Sequence, residues 1–352
     1  MVNVLIVEDS RVVSEYLYYI FSKDPQIQVV GNVSNGRMAV DFLRDHKPDV
    51  ITMDIDMPIM NGLEATRIIM STNPVPILIV TASRNAQEVS TSIEAMAAGA
   101  LAVIEKPVGI GHPKEEELAG RLLNMVKLMA GVKVVKRKAK APAAAPRNPA
   151  VPRPGLMPGT LRIPEVVAIG VSSGGPQALQ KVFAGISAKF PSPILVVQHI
   201  AAGFLDGLVN WLGNSAQIPL KIAEDGEKLL SGQVYFAPDH HHMCVTRNGR
   251  IQLLKASVNG GICPSVANLY KSVNEVYGNA ACGIILTGMG SDGAQELKYM
   301  EESGALTIAQ SKESSLIFGM PGVAVQLGAA RYVLDAEEIG SVLVEMETSN
   351  RR

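Results

Sequence analysis

"AIGVSSGGPQAL", residues 168–179, runs an apolar stretch into two serines and two glycines, then into a helix-like stretch. Strand, sharp turn and helix form the unit of a parallel α/β sheet, whose ligands gather at the carboxyl ends of the strands. The turn admits two chemistries. Gly174 and Gly175 open a helix N-terminus, whose free N–H groups favour a phosphate or a developing oxyanion equally well. No G-x-x-x-x-G-K-[ST] or G-x-G-x-x-G pattern accompanies it, which counts against a phosphate cradle. Read as G-x-S-x-G over 170–174, it is a nucleophile elbow centred on Ser172, with Ser173 left to support the turn or cap the helix. The plain alternative is a Ser/Gly-rich turn that only caps a helix.

The same rhythm recurs on both sides. "EVVAIGV", "PILVVQH", "CGIILTG", "GALTIAQ" and "RYVLD" each precede a helix-like stretch, and so do "VNVLIV", "QVVGNV", "DVITMD", "VPILIVT" and "ALAVIEK" nearer the N-terminus. Apolar residues between them fall at helical spacing, as Val13, Leu17, Ile20 and Phe21 do. Residues 232–254 break the rhythm and read as a β-hairpin turning at Asn248-Gly249. Residues 131–160 stand apart, with six prolines, seven Lys or Arg and no acid. Such a segment cannot bury enough to fold alone. The expectation is an α/β protein with two doubly wound parallel-sheet domains, 1–125 and 161–348, the second carrying a β-hairpin insertion. A solvated linker at 126–160 joins them.

Composition excludes several classes. With 32 Lys+Arg against 33 Asp+Glu, no global field argues for nucleic acid or a membrane surface. The second half shows no helix-turn-helix pattern or basic recognition helix, so a DNA-binding output is disfavoured. The start, "MVNVLIVEDSRVV", has acids in its apolar stretch and no basic region before it, unlike a signal peptide. No run approaches the roughly 20 apolar residues of a membrane span. The three cysteines, Cys244, Cys263 and Cys282, lack C-x-x-C spacing and read as buried thiols of a reduced, cytoplasmic protein.

In the first half, Glu8 and Asp9 follow one strand and Asp54 another, so three acids share one rim of the sheet. Like charges gather unfavourably unless a cation joins them, and an all-oxygen set suits Mg²⁺. Thr81 ends the fourth strand and Lys106 follows the fifth, adding a hydroxyl and a positive charge. Together these are the parts an aspartyl phosphate needs. Taken singly, each acid would be read as a helix cap, as Asp9-Ser10 could be. "VEDS" (7–10), "DIDMPIMNG" (54–62), "TAS" (81–83) and "EKP" (105–107) resemble, in order and spacing, the motifs of response-regulator receiver domains. The resemblance implies Asp54 as phosphoacceptor, and Mg²⁺ on Glu8, Asp9, Asp54 and the backbone carbonyl of Asp56. It further implies Thr81 and Lys106 as phosphoryl sensors, and a cis Lys106–Pro107 bond.

A serine nucleophile needs a histidine base and an acid to orient it. His199 ends "PILVVQH", the strand after the one bearing Ser172, so both side chains should reach the same rim. His240, His241 and His242 sit beside Asp239 in the expected hairpin, where metal chelation is a loose reading and exposure the better one. Asp292 stands in the Gly-rich turn "LTGMGSDG" (286–293) after another buried strand. No histidine follows His242, so the order Ser172–His199–Asp292 is not that of an α/β-hydrolase.

"AIGVSSGGPQAL", "VVQHIAAGF" (196–204), "DGEKLLSGQVYFAPDHHH" (225–242), "ILTGMGSDGA" (285–294) and "AQSKESSLIFGMPGVAV" (309–325) resemble the chemotaxis protein-glutamate methylesterases of the CheB type. The resemblance implies Ser172 as nucleophile, His199 as base and Asp292 as its orienting acid, with no cofactor at this site. Candidates for an oxyanion hole lie near Ser173 and Met289. It implies hydrolysis of glutamyl methyl esters, and deamidation of glutamines, on methyl-accepting chemoreceptors. A CheA-type histidine kinase would be the phosphodonor, and the unphosphorylated receiver would block the site. Two positions depart from the family pattern: Cys263 in "ICPS" (262–265) and Gly322 in "GMPG" (319–322) stand where cations are usual, which bears on substrate choice. The competing expectation is a receptor-binding regulator whose output domain no longer turns over.

Overall fold

The structure is a computed structural model that describes residues 1–82, 86–107, 109, 111–113, 115–132, 134, 162–256 and 261–349. It divides into two compact units, Met1–Ala139 and Lys140–Arg352. Ser83 and most of the expected linker lie outside the described residues.

The first unit alternates β1 (Val2–Val7), α1 (Arg11–Ser22), β2 (Ile27–Val33), α2 (Gly36–Phe42), β3 (Val50–Met53), α3 (Gly62–Thr72), β4 (Ile77–Thr81), α4 (Ala86–Ala98), β5 (Ala102–Glu105) and α5 (Glu115–Ala130). Its five strands are parallel in the order β2-β1-β3-β4-β5. Strand order reverses between β1 and β3, so a ligand crevice opens at their carboxyl ends. Residues 4–7, 50–53 and 77–81 are buried, as central parallel strands covered on both faces must be. α1 forms because Ser10 accepts the N–H of Val13 at 3.5 Å while Leu17, Ile20 and Phe21 repeat into the core. α5 runs past the expected boundary at 125, because Leu122, Val126 and Met129 keep helical spacing and remain buried. The Lys106–Pro107 bond is not cis; among the described residues the cis bond is Cys263–Pro264. A prolyl bond's two isomers differ by only about 0.5–1 kcal/mol, so the dipeptide alone does not fix the outcome.

The second unit runs β6 (Val166–Val171), α6 (Gly175–Val182), β7 (Ile194–Gln198), α7 (Leu205–Gly213), β8 (Leu220–Ile222), β9 (Val234–Phe236), β10 (His241–Val245) and β11 (Ile251–Lys255). It continues through α8 (Val266–Tyr277), β12 (Ala281–Ile285), α9 (Ala294–Glu302), β13 (Leu306–Gln310), α10 (Met320–Gln326), β14 (Tyr332–Leu334) and α11 (Ala336–Ser349). Seven parallel strands lie in the order β14-β13-β12-β6-β7-β9-β8. The stretch expected to be one hairpin splits. β9 joins the main sheet beside β7, and only β10 and β11 form the antiparallel pair, with Gly249 at φ 71° in their turn. "VYF" is wholly buried, a burial the sheet interior supplies and an exposed hairpin does not. Strand β8, at the sheet edge and half-buried, is too short to leave a pattern in the sequence.

Cys244 and Cys282 are buried and Cys263 is half-buried, all as free thiols. Burial pushes the Cys282 thiol up to about 12 and raises the other two. No helix among the described residues is long and apolar enough to cross a membrane.

Candidate functional site

In the second unit the chain leaves β6 toward one side of the sheet through β7 and toward the other through β12. The carboxyl ends of β6 and β12 therefore flank the switch point, where Ser172 and the turn after β12 meet. The N–H of Ser172 donates to the carbonyl of Thr287 at 3.0 Å. Thr287 in turn donates its hydroxyl to the carbonyl of Ser173 at 2.9 Å and accepts the N–H of Ile317 at 3.0 Å. The expectation that Ser173 caps α6 is not met: Gly174, at φ 80°, is the N-cap and no side chain caps the helix. What the turn uses is the Ser173 carbonyl.

Gly288 shows how tightly the two turns pack. A Cβ there would stand 2.7 Å from Cβ of Ser172 and 2.5 Å from Sδ of Met320. Its carbonyl accepts the N–H groups of Gly319 and Met320 at 3.1 and 2.9 Å, which pins the turn before Met289. The N–H groups of Met289 and Ser173 make no hydrogen bond among the described residues, and both belong to the turns around Ser172.

β7 brings in the histidine. Val171 pairs with Gln198 in the sheet register, and the His199 N–H donates to the Val171 carbonyl at 2.9 Å. Ser172 and His199 therefore stand side by side on neighbouring strand ends, which run about 4.8 Å apart. No hydrogen bond joins their side chains; contacts of this kind tighten when substrate binds. Nε2 of His199 lies 3.0 Å from Oδ2 of Asp292, at ion-pair distance though not aligned as a full hydrogen bond.

Asp292 is held from its other side by α8. Ser265 donates its hydroxyl to Oδ1 at 2.9 Å, Val266 its N–H to Oδ2 at 2.7 Å, and Ala267 its N–H to Oδ1 at 3.2 Å. Burial alone would raise this carboxyl, but the His199 contact and the α8 amides outweigh it and hold it below its usual range. A cavity of about 330 Å³ adjoins it, lined in part by His242, Ile262, Cys263, Ser265 and Asn268. Cys263 thus faces the site from the position where the family carries a cation.

The consecutive histidines do not share a ligand. Nδ1 of His241 lies 3.0 Å from the Asp239 carbonyl, Nδ1 of His242 lies 3.2 Å from Nδ2 of Asn268, and His240 is exposed. Ser265 and Gln198 were not legible as site residues. A serine before an apolar helix reads as that helix's own cap, whereas Ser265 directs its hydroxyl to Asp292.

In the first unit the acids converge as the strand ends require. Carboxylate oxygens of Glu8, Asp9 and Asp54 lie within 4.8 Å of one another. Lys106 donates to Oδ2 of Asp54 at 2.8 Å and to Oε1 of Glu8 at 3.1 Å, and the Ile55 N–H donates to Oδ1 of Asp54 at 2.8 Å. Burial raises the Glu8 carboxyl, with Asp54 adding to it, and burial likewise raises Asp54. Burial opposes the charge on Lys106, but its bonds to Asp54 and Glu8 win and raise it. Oε2 of Glu8 is buried without a hydrogen-bond donor, so the cluster has room for a divalent cation in chemistry and charge. Thr81 is buried at the end of β4, its carbonyl accepting the Lys106 N–H at 2.8 Å.

Residues 167–343 match the CheB methylesterase family and residues 4–115 the response regulator receiver domain family. A protein-glutamate methylesterase/protein-glutamine glutaminase of Nitrosospira multiformis is 48% identical over 98% of this chain and 97% of its own. Another, from Geobacter metallireducens, is 45% identical over 98% of this chain and 99% of its own. The solved CheB methylesterase catalytic domain of Thermotoga maritima superposes with a TM-score of 0.50 and 35% identity, covering 52% of this chain and 98% of that one. The chain belongs to the CheB methylesterase family, with a response-regulator receiver domain preceding the methylesterase domain.

Proposed function

We propose that the protein is a phosphorylation-controlled hydrolase that removes methyl groups from glutamyl esters, and amide nitrogen from glutamines, on the cytoplasmic helices of chemoreceptors. The observation that carries the reading is the Asp292 carboxylate, anchored on α8 and 3.0 Å from His199, one strand from Ser172. A binding module without turnover has no need to hold a buried anion against a histidine.

Ser172 acts as nucleophile and His199 as base. Asp292 occupies the Nε2 side of the ring, so Nδ1 is the nitrogen left for the serine proton. The serine Oγ attacks the γ-carbonyl carbon as its proton passes to His199. His199 then gives that proton to the departing methoxide, so methanol leaves and an acyl-serine remains. Water attacks the acyl group, its proton again going to His199, and the glutamate carboxylate leaves with the serine restored. With a glutamine the leaving group is ammonia. Asp292 stabilises the imidazolium at each step without taking the proton. The free N–H groups of Ser173 and Met289 are suited to the oxyanion, where losing one donor typically costs about 2.7–4 kcal/mol.

In the receiver, Asp54 takes the phosphoryl group from a CheA-type histidine kinase and Thr81 and Lys106 meet its oxygens. Glu8, Asp9, Asp54 and the carbonyl of Asp56 would hold Mg²⁺, which neutralises the phosphoryl oxygens when bound. The receiver and the methylesterase domain are joined by a solvated linker after α5. The test is methanol release from methylated receptor membranes, with and without a small phosphodonor. Release that a phosphodonor stimulates and Ser172→Ala abolishes is expected; undiminished release from Ser172→Ala would overturn the reading.

A further inference from the structure

Gln198 ends β7 after four buried apolar residues and is only 3% exposed itself. A primary amide in such a place must direct its donors at something. Its Nε2 donates to the carbonyl of Ser172 at 2.9 Å and to the carbonyl of His199 at 2.8 Å. One side chain thus ties the peptide that follows the Ser172 side chain to the peptide that follows the His199 side chain. Both partners are acceptors, so the amide cannot turn over and exchange its ends. Oε1 is buried with no donor and rests against Gly175, where a Cβ would come within 1.9 Å of it. An unpaired buried acceptor is unfavourable. The fold tolerates it here, with both amide hydrogens on the two carbonyls and a glycine opposite.

We propose that Gln198 is a positioning residue of the esterase site, a clamp that fixes the spacing of Ser172 and His199 through their backbone carbonyls. The inference rests on Ser172 as nucleophile and His199 as base. A purely structural amide would stabilise the sheet edge and leave the chemistry alone. A clamp sets the alignment of two side chains that must meet only when the proton moves.

The test uses the full-length chain and Gln198→Met, which keeps the length of the side chain and removes both donors. Two rates are read per folded molecule: methanol release, and labelling of Ser172 by a fluorophosphonate. The expected result is a kcat lower by about 10–100-fold, KM within about threefold, and labelling slowed in step. Gln198 carries no charge, so the pH dependence of the rate keeps its shape while its height falls. A Gln198→Met protein whose kcat and labelling rate stay within about twofold of the parent overturns the clamp. Gly175→Ala supplies a second route if Gln198→Met does not fold, since the new Cβ displaces Oε1. It should slow labelling in the parent and by much less in a Gln198→Ala background; equal losses in both backgrounds overturn the proposal. A parent that labels at Ser172 yet releases no methanol counts against the proposed substrate and leaves the clamp testable by labelling. A parent that fails to label overturns both.

Discussion

The Val266 N–H donates to the Asp292 carboxylate at 2.7 Å, so the acid facing His199 is also the cap of α8. A helix N-terminus offers unpaired amides and a partial positive charge, both of which favour an anion. Asp292 is therefore fixed and charged before any substrate arrives. The same bond explains why α8 lacks a side-chain cap of its own.

Replacing that anion should be costly to chemistry. Asp292→Asn presents an amide NH₂ to one of its present donors and selects the wrong histidine tautomer, so turnover should fall by about 10²–10⁴-fold. Phosphate uptake at Asp54 should be unchanged. Steady-state methanol release and a phosphorylation assay on the same preparation check both halves.

The same carboxyl makes stability depend on acid. Its folded value lies below the ordinary 3.8, so its contribution is present above 3.8 and lost as pH falls through the folded value. Thermal midpoints of the parent should drop across that window more steeply than those of Asp292→Asn. Parallel curves would contradict the assignment of an anchored anion.

Ser265→Ala removes one of several donors to Asp292 and leaves the Val266 and Ala267 amides in place. A loss of about 1 kcal/mol, or roughly fivefold in kcat, is expected. Ser265→Thr keeps the hydroxyl and should restore most of it. A Ser265→Ala enzyme as fast as the parent would show that the α8 amides suffice.

Gly288→Ala places a methyl group 2.7 Å from Cβ of Ser172 and 2.5 Å from Sδ of Met320. The nucleophile must move, so turnover and fluorophosphonate labelling should both fall, with about 1–3 kcal/mol of stability lost to overpacking. Retention of full labelling would mean that Met320 yields instead.

In the receiver the sign reverses. Glu8 and Asp54 are raised from 4.5 and 3.8, so the metal-free unit gains stability as pH falls through those raised values. Above them a divalent cation can do what protons do below. Mg²⁺ should raise the thermal midpoint at neutral pH, by less as pH approaches 4.5, and by less in Asp54→Asn. A midpoint indifferent to Mg²⁺ at neutral pH would argue against the site.

The sequence by itself determined the alternation of strands and helices, because central parallel strands are buried on both faces and read as continuous apolar runs. It also determined which polar residues end those runs, and so Ser172, His199, Asp54 and Lys106 were legible where they stand. It did not separate β9 from the hairpin, because "VYF" reads alike as a sheet strand or a hairpin strand and only its neighbour β7 decides. Only the tertiary structure decided how the acid and base are held. Ser265 and the α8 amides grip Asp292 across 25–27 residues of chain, and Gln198 reaches the Ser172 carbonyl from 26 residues away. Contacts of that range leave no period in the sequence. They arise because strand order, and not chain order, sets which ends of the sheet lie side by side.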